Sequence, residues 1–306
     1  MAKGVLDLGP IGLGANFVGG HNLFENVQDD VGKQIIETAI DYGITFIDTA
    51  YVYGFGRSEE LIGEVLAKKK QREDIVIATK AGHKKTENGI VVDNHPDFIV
   101  DEVERALKRL QTDYIDLFYL HYPDEQTPKA EIVGVLQRLK EQGKIKAIGL
   151  SNFSVAQLKE ANQDGYVDYV QDEYNLLNRQ AEKELFPILE ENNIGFIPYF
   201  PLASGILAGK YTKDSVFTDG RSKRPEYQGE RFVETLDKVE QLKQLAAKYE
   251  TDVSNVVLAY YLTKPIIPSI IPGAKRPEQV KENIQAGKLI LSSEDQQFIS
   301  ELFPVR

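Results

Sequence analysis

Short, continuous apolar runs alternate with longer stretches whose apolar residues recur every three or four positions along most of this chain. The runs predict strands buried on both faces, and the stretches predict amphipathic helices. Strands are expected at residues 10–14, 44–48, 75–79, 114–120, 145–150, 167–171, 194–199 and 266–271. Helices are expected at 31–42, 58–69, 97–110, 129–142, 154–163, 180–193, 234–249, 253–263, 276–286 and 293–302. Gly43 and Gly143 sit where helix C-caps belong. The rhythm breaks at 201–232, where Gly, Pro, Lys, Arg and Asp replace periodicity, which predicts a long functional loop.

Eight strands interleaved with helices favour a closed (β/α)8 barrel over an open, doubly wound sheet. The expected fold is an α/β TIM barrel forming a single domain over residues 1–306. It carries a long loop after strand 7 and an extra C-terminal helix. Active sites of such barrels lie at the C-terminal ends of the strands. Successive early strands here end in Asp48, Lys80, His121, Ser151-Asn152 and Gln171, and the loop after the first of these adds Tyr53. Each residue alone has a structural explanation: a helix cap, a solvated lysine, a histidine bonded to a carbonyl. Together at one barrel mouth they form a coherent chemical set. A lysine cation lowers the pKa of a neighbouring phenol, and a carboxylate holds that lysine charged. A histidine beside the tyrosine can orient a carbonyl. Such a set donates a proton to a carbonyl oxygen while hydride arrives at carbon.

Composition narrows the alternatives. With 36 basic and 47 acidic residues the net charge is −11, which argues against nucleic-acid binding. The absence of cysteine excludes disulfides and thiolate chemistry. There is no G-x-S-x-G elbow and no H-E-x-x-H, so neither a serine hydrolase nor a metal site is expected. The first residues, MAKGVLDLGPIGLG, do not read as a signal peptide, and no apolar run is long enough to span a membrane. A cytoplasmic monomer is expected.

A hydride donor must bind, yet no G-x-G-x-x-G fingerprint is present. The anion site is expected late in the chain instead. IIPGAKRPEQVKEN (270–283) runs strand, glycine turn, Lys275-Arg276, helix. SGILAGK (204–210) adds glycine N–H groups and Lys210.

The motifs IDTAYVYGFGRSEELIGE, IATK, RALKRLQTDYIDLFYLH, KIKAIGLSNFS and IPGAKRPEQVKEN, in this order, resemble the aldo-keto reductases. FPLASGILAGKYT and IPGAKRP are similar to the bacterial NADPH-dependent branch that includes the inositol-operon and general-stress reductases. The resemblance implies a catalytic tetrad of Asp48, Tyr53, Lys80 and His121, with Tyr53 as general acid. It implies that Ser151, Asn152 and Gln171 hold the nicotinamide carboxamide and that Tyr199 stacks on its ring. Leu202, Ser204, Gly205, Leu207 and Lys210 would line the pyrophosphate. Gly273, Ala274, Lys275 and Arg276 would wrap a 2′-phosphate, favouring NADP(H), with Gln279, Glu282 and Asn283 near the adenosine. Gln279 stands where the family often has Arg, a departure that weakens the 2′-phosphate preference. The family's floor hairpin is also shortened, because only nine residues precede Pro10. Ala15, Asn16, Phe17, Tyr51, Phe55 and Tyr122 are expected near the substrate, a small aldehyde or ketone. Two other readings follow from the same residues: a cofactor-binding regulatory or redox-sensing subunit with little turnover, and a Schiff-base enzyme using Lys80.

Overall fold

A computed structural model describes residues 5–305. The strands are β1 (Leu13–Gly14), β2 (Phe46–Asp48), β3 (Val76–Ala81), β4 (His83–Thr86), β5 (Gly89–Val92), β6 (Ile115–Leu120), β7 (Ile145–Ser151), β8 (Tyr169–Glu173) and β9 (Gly195–Tyr199). The helices are α1 (Asp29–Asp41), α2 (Arg57–Lys69), α3 (Pro96–Leu110), α4 (Lys129–Glu141), α5 (Val155–Ala161), α6 (Ala181–Glu184), α7 (Phe186–Glu191), α8 (Gly229–Lys248), α9 (Val253–Leu262), α10 (Pro277–Asn283) and α11 (Ser293–Leu302).

Seven strands form one parallel sheet in the order β1-β2-β3-β6-β7-β8-β9. The segment 266–272 closes it into a barrel. Phe196 N–H donates to the Ile266 carbonyl at 2.9 Å, and Gly12 N–H to the Ile270 carbonyl at 2.8 Å, so this segment joins both sheet edges. It pairs with β1 only through isolated bridges, because Pro268 and Pro272 carry no N–H for a continuous ladder. The expected barrel, formed as a single domain, is therefore present, with its eighth strand irregular.

Three other expectations change. The helix expected at 180–193 is broken into α6 and α7 near Pro187. The antiparallel hairpin β4–β5 stands between β3 and α3, where the sequence pattern had suggested only a connection. The 201–232 segment contains three short 3-10 turns and an edge-to-face cluster of Tyr211, Phe217, Tyr227 and Phe232, so it is packed rather than structureless.

The barrel interior is a distinct core of Phe46, Ala78, Leu117, Tyr119, Ala147, Tyr169, Ile197 and Ile271, with Leu8 below them. A much larger core lies between sheet and helices. Tyr119 enters the barrel because β7 offers Gly149 there. A Cβ at 149 would lie 2.2 Å from the Tyr119 ring. The floor is the irregular segment around Leu8, tied by the Leu6 N–H donating to the Tyr169 hydroxyl at 2.8 Å. The first four residues of the shortened floor lie outside the described residues. Among the described residues no helix is long and apolar enough to cross a membrane.

Candidate active site

Side chains two residues apart on a strand share a face. Phe46, Ala78, Tyr119, Tyr169, Ile197 and Ile271 all face the barrel interior. Two residues further on come Asp48, Lys80, His121, Gln171, Tyr199 and Gly273. Strand parity thus stacks one polar layer directly on the apolar core, at the C-terminal mouth.

Asp48 is the hub of this layer and is 2% exposed. Its Oδ1 accepts from Lys80 Nζ at 2.5 Å and its Oδ2 from Gln171 Nε2 at 2.9 Å. Lys80 Nζ also donates to the Thr49 carbonyl at 2.8 Å. The ammonium lies 5.5 Å from the Tyr53 ring centroid and 5.6 Å from that of Tyr119, over two π faces. Burial nonetheless pushes the Lys80 pKa down, against the opposing pull of Asp48.

Tyr53 comes from the loop between β2 and α2, which is strapped from two sides. Asn22 accepts from Gly54 N–H at 2.7 Å and donates to the Val52 carbonyl at 3.0 Å. Arg109, from the last turn of α3, lies 5.1 Å from the Tyr51 ring centroid and bonds the wholly buried Glu59 at 2.6 Å. Gly54 is left-handed (φ 67°), and a Cβ there would lie 1.9 Å from the Gly19 carbonyl oxygen, so only glycine closes this turn.

The expected acidification of Tyr53 by Lys80 does not occur. Burial, then the charge of Asp48, raises the Tyr53 pKa well above its ordinary value. The reason is geometric: the Lys80 ammonium is hydrogen-bonded to Asp48 and Thr49, and Asp48 offsets its charge. Tyr53 is therefore a protonated phenol near neutral pH. Burial first, and then the Lys80 charge, pushes the His121 pKa well below the usual range and holds the ring neutral. Its ring stands edge to face with Tyr53 at 6.4 Å.

Asn152 adopts a left-handed backbone (φ 63°), a strained conformation at the end of β7. Its amide donates to the His121 carbonyl at 2.9 Å and to Ser151 Oγ at 3.0 Å, and accepts from Tyr199 Oη at 2.7 Å. Asp48, Tyr53, Lys80, His121, Ser151, Asn152, Gln171, Tyr199 and Tyr122 thus converge at one mouth.

A second cluster is cationic. The Lys275 ammonium is pushed down by partial burial and by the charges of Arg221 and Lys210, with Asp219 opposing. Ser204 and Gly205 (φ 58° and 101°) turn the backbone beside Lys210, whose Nζ would lie 3.3 Å from a Cβ at Gly205. Arg221 had no sequence signal beyond its place in the unpatterned loop. It is fixed by a fork to Asp219, with Nη2 to Oδ2 at 2.7 Å, and by the Tyr211 hydroxyl. Cations that raise one another's energy in this way fit a bound polyanion.

Several expected residues sit elsewhere. Leu207 and Ala274 are buried in the core, and the Leu207 N–H already bonds the Leu202 carbonyl. Leu202 packs on that core, and Asn283 is buried. Gln279 folds back to accept from Lys275 N–H at 2.8 Å, while Arg276 and Glu282 are exposed. Ala15 is wholly buried behind Asp48, donating its N–H to the Asp48 carbonyl at 2.8 Å. Asn16 lies against Gly273. Tyr51 and Phe55 pair with each other at 6.1 Å, and Tyr51 faces a side cleft rather than the Tyr53 hydroxyl. His83, which the sequence pattern did not single out, meets His121 edge to face at 4.7 Å.

A closed barrel with a buried ion pair, a protonated phenol and a neutral imidazole at its mouth is suited to moving a proton to or from a polarised oxygen. The chain matches the model of the aldo/keto reductase family over residues 10–303 and belongs to that family of oxidoreductases. It is 36% identical over 295 residues to aldo-keto reductase YhdN of Bacillus subtilis (strain 168), covering 95% of this chain and 89% of that one. It is also 36% identical over 314 residues to the NADH-specific methylglyoxal reductase of Escherichia coli (strain K12), covering 97% and 95%. Among solved structures, a glycerol dehydrogenase from Gluconobacter oxydans superposes with a TM-score of 0.92 at 32% identity, covering 100% of this chain and 96% of that one.

Proposed function

We propose that this chain reduces small aldehydes and ketones to alcohols with NADPH, Tyr53 acting as general acid. The observation that carries this reading is the convergence of Tyr53, His121 and the Lys80–Asp48 pair at the barrel mouth. The dinucleotide, when bound, would supply hydride to the carbonyl carbon. Its phosphates would be held by Lys210, Arg221, Lys275 and the neighbouring Ser204-Gly205 turn, a cation cluster suited to NADPH. The E. coli relative is named for NADH specificity, so the preference for NADPH rests on that cluster.

The roles of the side chains follow from their charge states. His121 is neutral, and its buried Nδ1 has no hydrogen-bond partner among the described residues. An orphaned N–H is the costlier state, so the proton belongs on Nε2, where it can donate to a carbonyl oxygen. Tyr53 keeps its proton until that oxygen becomes alkoxide-like, a far stronger base than a phenolate. The proton then passes from Oη to that oxygen, giving the alcohol and leaving Tyr53 as a phenolate to be reprotonated. Lys80 and Asp48 set the field beneath Tyr53 without leaving their own pair. For Asn152 to grip a carboxamide, one of its present bonds must open; Ser151 beside it is the more available group. The same reading places this single domain, residues 1–306, in the bacterial branch of inositol-operon and general-stress reductases, as a cytoplasmic monomer.

Steady-state NADPH oxidation with 4-nitrobenzaldehyde tests the proposal, with NADH alongside. Tyr53→Phe should lower kcat by at least about a hundredfold, in the range for losing a general acid. An unchanged rate would remove Tyr53 from the mechanism, absent turnover in the wild type would favour a regulatory subunit, and equal efficiency with NADH would reject the phosphate argument.

A further inference from the structure

The backbone of any residue turns between two rigid peptide planes, one on each side of its Cα. For Tyr53 these are the Val52–Tyr53 and Tyr53–Gly54 planes, and one side chain from a distant turn bonds both. Asn22 Nδ2 donates to the Val52 carbonyl at 3.0 Å, and Gly54 N–H donates to Asn22 Oδ1 at 2.7 Å. The other polar group of each plane is satisfied within the loop: Tyr53 N–H donates to the Ala50 carbonyl at 3.0 Å, and Ser58 N–H to the Tyr53 carbonyl at 3.2 Å. One partner of Asn22 only accepts and the other only donates, so the orientation of the carboxamide is fixed. Asn22 sits on a tight turn, in which Leu23 N–H and Phe24 N–H donate to the Gly20 carbonyl at 2.9 and 3.1 Å. Next to it, His21 Nε2 lies 2.8 Å from Asp29 Oδ1, and Asp29 Oδ2 accepts from Arg57 at 3.0 Å, which ties the turn to the start of α2. Asn22 itself is exposed and adds nothing to the core.

Resting on the reading above, we propose that Asn22 is the positioning residue of the general acid: by pinning both peptide planes it fixes the backbone torsions of Tyr53 and hence the place of its hydroxyl. Oη is the atom of Tyr53 farthest from Cα, so a small rotation of either plane is magnified there. A reacting group must be held within about 0.5 Å of its productive place, and a misplacement of about 1 Å can cost about a hundredfold in rate. Among the described residues no other side chain bonds either plane. The Arg109–Glu59 pair grips the loop at the Tyr51 ring and against Gly56 instead. Asn22 therefore acts on the reaction through Tyr53 and not through the ion pair or the phosphate site.

The test is a double-variant cycle in the complete enzyme, with single-turnover oxidation of NADPH by 4-nitrobenzaldehyde as the readout. Asn22→Ala should slow this step about tenfold to a hundredfold, while the Kd for NADPH and the melting temperature stay close to those of the wild type. In a Tyr53→Phe background no hydroxyl remains to be misplaced, so adding Asn22→Ala should change the residual rate by less than about twofold. Asn22→Asp keeps the bond from Gly54 and loses the one to Val52, and its rate should fall between those of the wild type and Asn22→Ala. A wild-type rate in Asn22→Ala overturns the proposal. So does an equal fold-loss in both backgrounds, which would mark a general loosening of the loop rather than an effect carried by the hydroxyl. Should Asn22→Ala fail to fold, Asn22→Asp takes its place in the cycle, with a smaller loss expected beside Tyr53 and none in the Tyr53→Phe background. The two readings fail distinguishably: full turnover in Tyr53→Phe defeats the catalytic assignment and this proposal with it, whereas a slow Tyr53→Phe beside a wild-type Asn22→Ala defeats the proposal alone.

Discussion

Replacing Asp48 by Asn changes one atom's identity and removes the charge at the centre of the site. The carboxylate accepts from Lys80 at 2.5 Å and Gln171 at 2.9 Å, and both donors are buried. An asparagine can offer its single carbonyl oxygen to only one of them and must turn its own N–H groups toward the other. Whichever donor takes that oxygen, Lys80 is then a buried cation that has lost its hydrogen-bonded anion and keeps neutral carbonyl contacts such as that of Thr49. Breaking one partner of such a pair costs about 3–5 kcal/mol. For a chain of 306 residues that corresponds to a melting temperature lower by about 5–8 °C. The pH dependence carries the diagnosis. Folding already lowers the Lys80 pKa, and loss of Asp48 lowers it further. A depressed lysine pKa means the unfolded chain binds more protons, so stability rises with pH through the folded-state pKa. The deficit of Asp48→Asn should therefore be largest at the acid end of the stable range and shrink as pH rises toward the lysine's unfolded-state pKa of about 10.4, as Lys80 sheds its proton. Guanidinium unfolding of wild type and variant across that window measures it. The double variant Asp48→Asn/Lys80→Met should recover much of the loss, since a buried pair replaced by an apolar group costs little. A single variant as stable as the wild type, or a deficit that grows with pH, would refute the argument that burial governs this lysine.

Lys275→Ala should act in opposite directions on binding and on the free protein. The Kd for NADPH, read by quenching of tyrosine fluorescence, should rise about tenfold or more with the loss of one charge-assisted bond, while the Kd for NADH should barely change. The protein without cofactor should become slightly more stable at low salt, because Lys275 is repelled by Arg221 and Lys210. Tyr169→Phe should cost about 1–2 kcal/mol by cutting the tie to Leu6 at the barrel floor. Burial raises the Tyr169 pKa from 10.0 to about 12. Its stabilising contribution is thus complete below pH 10 and lost as pH rises toward 12, a slope of about 2–3 kcal/mol that the Phe variant should lack.

The polar layer was legible because strand parity is a local property. Once 44–48, 75–79 and 114–120 are strands, Asp48, Lys80 and His121 fall on the face of Phe46, Ala78 and Tyr119 without knowledge of the fold. Ala15, Leu207 and Ala274 lacked such a signal for the complementary reason. They are small or apolar residues in loops, where no period tells a lining side chain from a buried one, and all three are in the core. The hairpin β4–β5 carried a readable signal, the Asn88-Gly89 dipeptide, but its strands are only four residues long and largely exposed, so no buried face marks them. His83 came to the site with that hairpin, which is why it was missed. Arg221 had no signal at all, because its partners Asp219 and Tyr211 meet it through turns of an aperiodic segment.

The sign of the Tyr53 shift marks where sequence reasoning reaches its limit. Residue identities give the charges: a lysine and an aspartate near a phenol. They do not give desolvation, which depends on how completely Tyr119, His121 and the 51–56 loop enclose the site. Coulomb effects from Lys80 and Asp48 largely oppose each other because the two are bonded at 2.5 Å, and what remains at Tyr53 is the smaller difference between them. Burial has no such opponent, so it decides the direction. This shifts the role of the pair from making Tyr53 acidic to keeping it a neutral donor in a site where a lone buried lysine or carboxylate would be costly. On that account, Lys80→Met should lower kcat while leaving the alkaline limb of the pH–rate profile in place, whereas a lysine that acidified Tyr53 would, on removal, shift that limb to higher pH.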